Sequence, residues 1–362
     1  MASPFVLACH DLFVIHTSGL TPGLRARFEA NLGHFAVKNT VDHDPGSADV
    51  VVAPMASSPD IPAFSSHLNH IYGFTTAEYQ GHTVVCLLRG RTPEFCIFFS
   101  PDLRVHLHFC PKYAREGRIY GMVLFAIYLM MKSRDRLLVH GAAVSKQGKT
   151  VVFSGHQGMG KTPILLSLLR EGWQCLGDDK LFLCRNRLSM VEPYAAISQY
   201  HFDLLPWLSS FLPHRLTPLF PGIARGFLDR AAGRIWPAGL PVKVYRYLNP
   251  GTKVDLRVPP FSNTLIQSGT PVHWIIIQRD TAFAFKPLSR DRGLDKLALV
   301  QDLFFSHRVQ MEKLICLYGD TRLPAIRDIL DRNLPETSFS QVSYSGEKDI
   351  GPLLDLVETH VG

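Results

Sequence analysis

What the sequence lacks narrows it first. No two of its seven cysteines form a C-x-x-C pair, which leaves neither the common zinc-finger spacing nor a thioredoxin-type redox motif. Cys9, Cys86, Cys96, Cys110, Cys175, Cys184 and Cys316 are scattered, several in apolar strand-like runs, and read as reduced, buried thiols. Long hydrophobic runs are missing as well. The longest, residues 119–131, falls short of the roughly 20 residues that span a bilayer. The N-terminus shows no basic segment followed by an apolar core and a small-residue cleavage site. A cytoplasmic chain with no membrane partner is the expectation. Runs of like charge, internal repeats and low-complexity linkers do not occur. The formal net charge of +7 comes from dispersed Lys and Arg, and no nucleic-acid-binding motif accompanies it. The expectation is a solvated basic surface that favours phosphate substrates, with no nucleic-acid partner.

What is present is globular in composition: 362 residues, 46% hydrophobic and 19% charged, enough for two domains. Chemistry-bearing residues gather in one stretch, residues 137–182. Within it Gly155, His156, Gln157, Gly158, Met159, Gly160, Lys161 and Thr162 satisfy every fixed position of the phosphate-loop pattern G-x-x-x-x-G-K-[ST]. The preceding run 150–154 reads as a buried strand, and 164–169 as an apolar helix ending near Gly172. Glycines at such a turn let backbone N–H groups converge on phosphate oxygens at the positive end of a helix. Lys161 is placed for the β/γ-phosphates and the Thr162 hydroxyl for one Mg²⁺ position. Pro163 is unusual. It fits a first helical turn but offers no N–H to an inner phosphate, so a donor held mainly by its outer phosphates is expected.

A second strand at 173–176 delivers Gly177, Asp178 and Asp179. Paired aspartates there either hold Mg²⁺ and accept a proton from an attacking hydroxyl, or cap the strand in an Asx turn. Upstream, His140 lies within an apolar strand at 137–144, where a histidine is either a satisfied core residue or a catalytic one.

The string HGAAV, a strand, GxxGxGK[ST], a helix, R-x-G and a strand ending in DD together resemble the catalytic domain of HPr kinase/phosphorylase. Within that group they are most similar to HPr-kinase-related proteins of peptide-modification clusters, including ScmC-type cassette proteins and the kinases of lasso-peptide precursors. Lys161 lies 21 positions after His140, and Asp179 lies 18 after Lys161, as the family spaces its catalytic residues. The resemblance covers residues 113–185. It implies an α/β core of the HPr-kinase C-terminal type, related to PEP carboxykinase, that uses ATP and Mg²⁺. It further implies residues 155–162 as the ATP loop, Thr162 as a Mg²⁺ ligand, Asp179 as the base, His140 near the phosphates and Asp178 as a metal-side carboxylate. The family's second signature, of Glu-Val-Arg-Gly-Leu-Gly type, is absent. Glu192 and Asp203 are the candidates for its missing acid, and the loss argues against HPr itself as substrate and against a phosphorylase reaction. The implied acceptor is a Ser or Thr hydroxyl on a peptide or small protein. A small-metabolite kinase and a non-catalytic nucleotide sensor or scaffold are the alternatives. Self-association is implied by the family.

Around this core, residues 1–112 read as a small, mainly antiparallel β-rich domain with strands at 11–16, 49–53, 83–88, 94–99 and 103–109 and a helix at 24–35. His106 and His108 share a face of one strand, with no third metal ligand evident, and read as surface polar residues. The division falls at 112/113, and residues 113–362 form the second domain. A buried helix at 113–132 opens it, a lid or insertion occupies about 204–241, and Arg225, Arg230, Arg234, Lys243 and Arg246 are candidate phosphate-neutralising cations. Strands are expected at 243–247, 253–258, 272–278 and 339–344. Helices at 294–305, 322–333 and 350–361 are expected to pack on the core.

Overall fold

A computed structural model describes residues 5–9, 12–32, 48–55, 74–79, 82–89, 92–100, 103–111, 116–156, 158–197, 199–210, 252–280, 282–305, 323–344 and 351–361. In chain order the strands are β1 (Phe5–Cys9), β2 (Phe13–Thr17), β3 (Val50–Pro54), β4 (Phe74–Tyr79), β5 (His82–Arg89), β6 (Thr92–Phe99), β7 (Val105–Phe109), β8 (Leu137–His140), β9 (Ala142–Lys146) and β10 (Lys149–Ser154). They continue with β11 (Gln174–Gly177), β12 (Lys180–Cys184), β13 (Arg187–Met190), β14 (Tyr194–Ile197), β15 (Thr252–Asp255), β16 (Ser268–Gly269), β17 (Pro271–Arg279), β18 (Ala284–Leu288) and β19 (Ser338–Tyr344). The helices are α1 (Pro22–Leu32), α2 (Glu116–Ser133), α3 (Lys161–Arg170), α4 (Gln199–Leu204), α5 (Arg290–Phe304), α6 (Ile326–Asn333) and α7 (Gly351–Val361). The result is a mixed α/β protein with several sheets. Among the described residues no helix is long and apolar enough to cross a membrane.

Two compact units interleave along the chain. One is drawn from residues 1–140, 182–192 and 291–336, the other from 141–181, 193–290 and 337–362. The sequence reading divides the chain once instead, at 112/113. The C-terminal helices also part company: α6 and nearly all of α5 fall in the first unit, α7 in the second.

The first unit is built on a seven-stranded sheet in the order β1-β2-β3-β7-β6-β5-β4. It is larger and more mixed than the antiparallel sheet expected. β2 pairs β3 in parallel, and β3 pairs β7 in parallel, because α1 carries the chain back between β2 and β3 as a crossover. The hairpins β4–β5–β6–β7 are antiparallel, as their close spacing predicts. Along β7 buried Val105, Leu107 and Phe109 alternate with half-buried His106 and His108, the period-2 pattern of a strand with one wetter face. α2 is apolar on every side from Val123 to Met131, and each residue of that run is buried. It packs on β3, β7, β8 and α1, with Tyr120 edge-on to Phe28 at 5.6 Å.

The second unit holds the six-stranded sheet β11-β9-β10-β17-β19-β18. β10, β17 and β19 run parallel at its centre, and β9, β11 and β18 are antiparallel to their neighbours. The apolar face of α3, with Ile164, Leu165 and Leu168, is buried in one core with Phe153, Trp173, Ile275, Ile277, Val342 and, from α7, Leu353 and Val357. At roughly 25 cal/mol per Å² of apolar surface removed from water, this burial is what holds helix to sheet. A two-stranded ribbon, β14–β15, pairs Tyr194 with Asp255 and Ala196 with Lys253. The lid expected over 204–241 and the cations Arg225, Arg230, Arg234, Lys243 and Arg246 lie, from residue 211 on, outside the described residues.

Candidate phosphate-binding site

The loop between β10 and α3 lies at the carboxyl end of the parallel strands, where open α/β sheets bind ligands. Three of its glycines have a physical reason to be there. A Cβ on Gly155 would stand 2.6 Å from the Ile277 carbonyl oxygen, so only glycine lets the chain leave β10 this close to β17. Gly158 and Gly160 both have φ of +84°, a left-handed conformation that costs glycine nothing. Gly160 is the N-cap of α3 and has no side-chain cap, leaving the first-turn amides of the helix to other acceptors. Gln157, in the middle of the loop, lies outside the described residues. His156 and Gly158 are exposed, while Met159 and Gly160 are half-buried.

Lys161 is buried, and its ammonium donates to the carbonyls of Gly155 (2.9 Å) and His156 (3.1 Å). Burial lowers its pKa, and the charges of Asp178 and Asp179 oppose that shift. In the first turn of the helix, the Thr162 hydroxyl lies 3.0 and 3.2 Å from the two carboxylate oxygens of Asp178. Asp178 Oδ2 also accepts the Ala196 N–H of the β14–β15 ribbon at 3.3 Å. Asp178 is buried, and desolvation, with repulsion from Asp179 second, pushes its carboxyl up to about 6 against the pull of Thr162, Ala196 and Lys161. Asp179 differs in each respect. Its side chain is 41% exposed and pairs with Lys180 at 2.6 Å, and its φ is +73°. That left-handed backbone turns two adjacent carboxylates into different environments, one dry and one wet.

The structure thus joins Lys161, Thr162, Asp178 and Asp179 in the second unit. It places two other sequence candidates, His140 and Glu192, in the first, and Asp203 in the second. The backbone of His140 is held by Gln301, whose amide oxygen accepts His140 N–H at 2.6 Å and whose amide nitrogen donates to the His140 carbonyl at 3.1 Å. Its ring stacks on Phe304 at 3.6 Å. Glu192 is buried and accepts the Tyr120 hydroxyl at 2.8 Å. The half-buried His106 and His108 stack on the buried Phe98 at 4.8 and 5.7 Å.

Sequence reasoning missed the residues that shape the loop from across the sheet. Trp274 of β17 donates its indole N–H to Ser154 Oγ at 2.9 Å. Tyr344, the last residue of β19, donates its hydroxyl to the Met159 carbonyl. Both sit in strands that read only as buried; no local signal marks them.

The donor set fits Mg²⁺·ATP. A threonine hydroxyl and a carboxylate already in contact are hard oxygen ligands, and Mg²⁺ is ordinarily held by one or two carboxylates plus substrate phosphates. Among the described residues no group of three His, Cys, Asp or Glu that could hold a metal occurs.

No family model matches the chain. Over 68 residues it is 31% identical to the HPr kinase/phosphorylase of Lactobacillus delbrueckii subsp. bulgaricus, a stretch amounting to 19% of this chain and 22% of that protein. The chain thus matches about a fifth of the length of that curated relative. A structure of the Hpr(Ser) kinase/phosphatase from Coxiella burnetii aligns with 61% of this chain and 91% of its own, at 10% identity and a TM-score of 0.26, too low to bear on the fold.

Proposed function

We propose that the chain is an ATP-dependent phosphotransferase of HPr-kinase-like type that phosphorylates a Ser or Thr hydroxyl of a peptide or small protein. The observation that carries the reading is the pairing of a glycine-built phosphate loop with Asp178 held against Thr162 in one unit. The local similarity to an HPr kinase/phosphorylase supports it. Mg²⁺, when bound, would offset the charge of the phosphates. Thr162 and Asp178 would supply its oxygen ligands, and Lys161, now on the Gly155 and His156 carbonyls, would place its charge at the outer phosphates. Asp179, part-exposed and paired with Lys180, accepts the proton of the attacking hydroxyl. Catalysis of this kind is positioning and charge neutralisation, with little covalent chemistry asked of the protein. ScmC-like or lasso-precursor specificity, a cytoplasmic setting and self-association belong to the same proposal and rest on the resemblance. His140 and Glu192 enter it only as candidates from the first unit.

Pro163 favours a second reading, a nucleotide sensor, because its position lacks an N–H for an inner phosphate. One experiment separates the two. Wild type and Asp179→Asn are incubated with γ-labelled ATP, Mg²⁺ and an extract of the source cell, and label is followed into peptide, protein and metabolite fractions. Label in peptide or protein with wild type alone is the expected result. Label in metabolites would move the acceptor to a small molecule. No transfer by wild type despite ATP binding would overturn the kinase reading in favour of the sensor.

A further inference from the structure

We infer that Tyr344 is a positioning residue for the phosphate loop: its hydroxyl locks the Met159–Gly160 peptide so that the Gly160 N–H faces the anion. The inference rests on the phosphate-binding reading and goes beyond it by naming what keeps the loop competent.

Three observations carry it. Tyr344 is 6% exposed and packed in the core of the second unit, so its ring is fixed. Its hydroxyl donates to the Met159 carbonyl, a contact 185 residues away in sequence. The same hydroxyl occupies the space a Cβ on Gly160 would need, so loop and tyrosine are in direct contact at two successive residues. A trans peptide is planar, with its C=O and N–H pointing in opposite directions. Holding the Met159 carbonyl toward β19 therefore turns the Gly160 N–H away from it, toward the interior of the loop.

The need for such a lock follows from the glycine. Rotating the 159–160 peptide by half a turn would carry φ of Gly160 from +84° to a negative value, and glycine accepts either sign. The flipped peptide would offer a carbonyl, with its partial negative charge, where a phosphate oxygen must sit. A residue bearing a Cβ would itself favour the flipped, negative φ, and glycine has no preference, so the direction of this peptide must be set from outside. Among the described residues the remaining loop contacts do not restrain this peptide either. Met159 N–H donates to His156 O at 3.3 Å, on the preceding peptide, and Lys161 engages only the carbonyls of Gly155 and His156.

The test is calorimetric titration of the full chain, as wild type, Tyr344→Phe and Lys161→Ala, with Mg²⁺·ATP and separately with magnesium pyrophosphate. Tyr344→Phe keeps the ring against Gly160 and removes only the hydroxyl. The expected result is a dissociation constant about three- to tenfold higher, the loss of one neutral hydrogen bond. The factor should be the same for both ligands, since the loop touches only phosphate, with stoichiometry and Tm unchanged. A merely structural tyrosine would lower Tm or the stoichiometry and leave the affinity of the folded fraction alone, and that outcome overturns the inference. So does equal affinity of Tyr344→Phe and wild type while Lys161→Ala binds weakly, which leaves the phosphate-loop reading standing. If wild type binds neither ligand, or Lys161→Ala binds as well as wild type, the phosphate-loop reading falls and this inference with it.

Discussion

Asp178→Asn should make the unliganded protein more stable at neutral pH. In the fold this carboxyl is dry and sits beside Asp179, which together hold its pKa near 6, about two units above the ordinary aspartate value. Each unit corresponds to about 1.4 kcal/mol, so ionising Asp178 in place costs the folded state up to about 3 kcal/mol at pH 7.5. A carboxyl whose folded pKa exceeds its unfolded pKa binds more protons folded than unfolded, so its contribution to stability falls as pH rises from about 4 to 6. Asparagine keeps an oxygen for the Thr162 hydroxyl and the Ala196 N–H and never ionises. Allowing for imperfect hydrogen bonding, about 1–3 kcal/mol of stabilisation remains at pH 7.5, shrinking to nothing near pH 4. Urea denaturation of both proteins at pH 4, 5, 6 and 7.5 without nucleotide reads this directly. With Mg²⁺·ATP present the order should reverse, because an amide is the poorer metal ligand. A variant less stable than wild type at pH 7.5, or a difference independent of pH, would refute the account of Asp178 as a carboxylate held ionised at a cost for a metal.

Asp179→Asn should lower transfer by about 10²–10⁴-fold, the range for a general base, while equilibrium binding of Mg²⁺·ATP is unchanged; single-turnover kinetics beside calorimetry checks both. Pro163→Ser restores an amide in the first turn of α3 and should tighten Mg²⁺·ATP about two- to tenfold. Pyrophosphate, which presents no inner phosphate to that position, should be unaffected, and competition binding compares the two. His108 has its pKa pushed down to about 4 by burial first and His106 second. The neutral ring therefore contributes stability above its unfolded pKa that is lost as pH falls from about 6.5 to 4. His108→Phe should flatten the stability profile over that window by about 1–2 kcal/mol after discounting the wet part of the ring. Since Asp178 slopes the opposite way over part of the same range, the His108→Phe difference curve from chemical denaturation is the measurement, not the wild-type profile.

Legibility from sequence followed the range of the interactions. The strand–loop–helix around Lys161 and the strand delivering Asp178 and Asp179 are local features, and the structure has β10, α3 and β11 at those positions. α3 begins at Lys161, three residues before the apolar run at 164–169, because a glycine N-cap and a proline in the first turn are compatible with helix. Hairpin spacing found β5, β6 and β7 within one or two residues. It could not find the parallel pairings of β2, β3 and β7, which join strands tens of residues apart and leave no local trace. The interleaving of the units was equally hidden: residues 137–144 read as one apolar strand, yet the compact units part between His140 and Gly141, between β8 and β9. The dry environment of Asp178 depends on Ala196, and a sequence containing two adjacent aspartates says nothing of which one is buried.

The candidate site therefore divides its tasks between two kinds of residue. The groups proposed to meet phosphate, metal or proton come from one contiguous run, residues 155–179. Groups that set the geometry of that run come from far along the chain: Ala196 on Asp178, Trp274 under Ser154, Ile277 against Gly155 and Tyr344 at Met159. A peptide carrying only residues 137–182 would hold every letter of the motif and none of these four contacts. Glycine at 155, 158 and 160 makes the free loop a broad ensemble, and ordering it would cost roughly 1–2 kcal/mol per residue in backbone entropy. In the folded chain β17 and β19 have already met that cost when the sheet forms. The motif alone thus specifies which atoms can meet a phosphate, and the carboxyl-terminal strands decide whether those atoms are in place when it arrives.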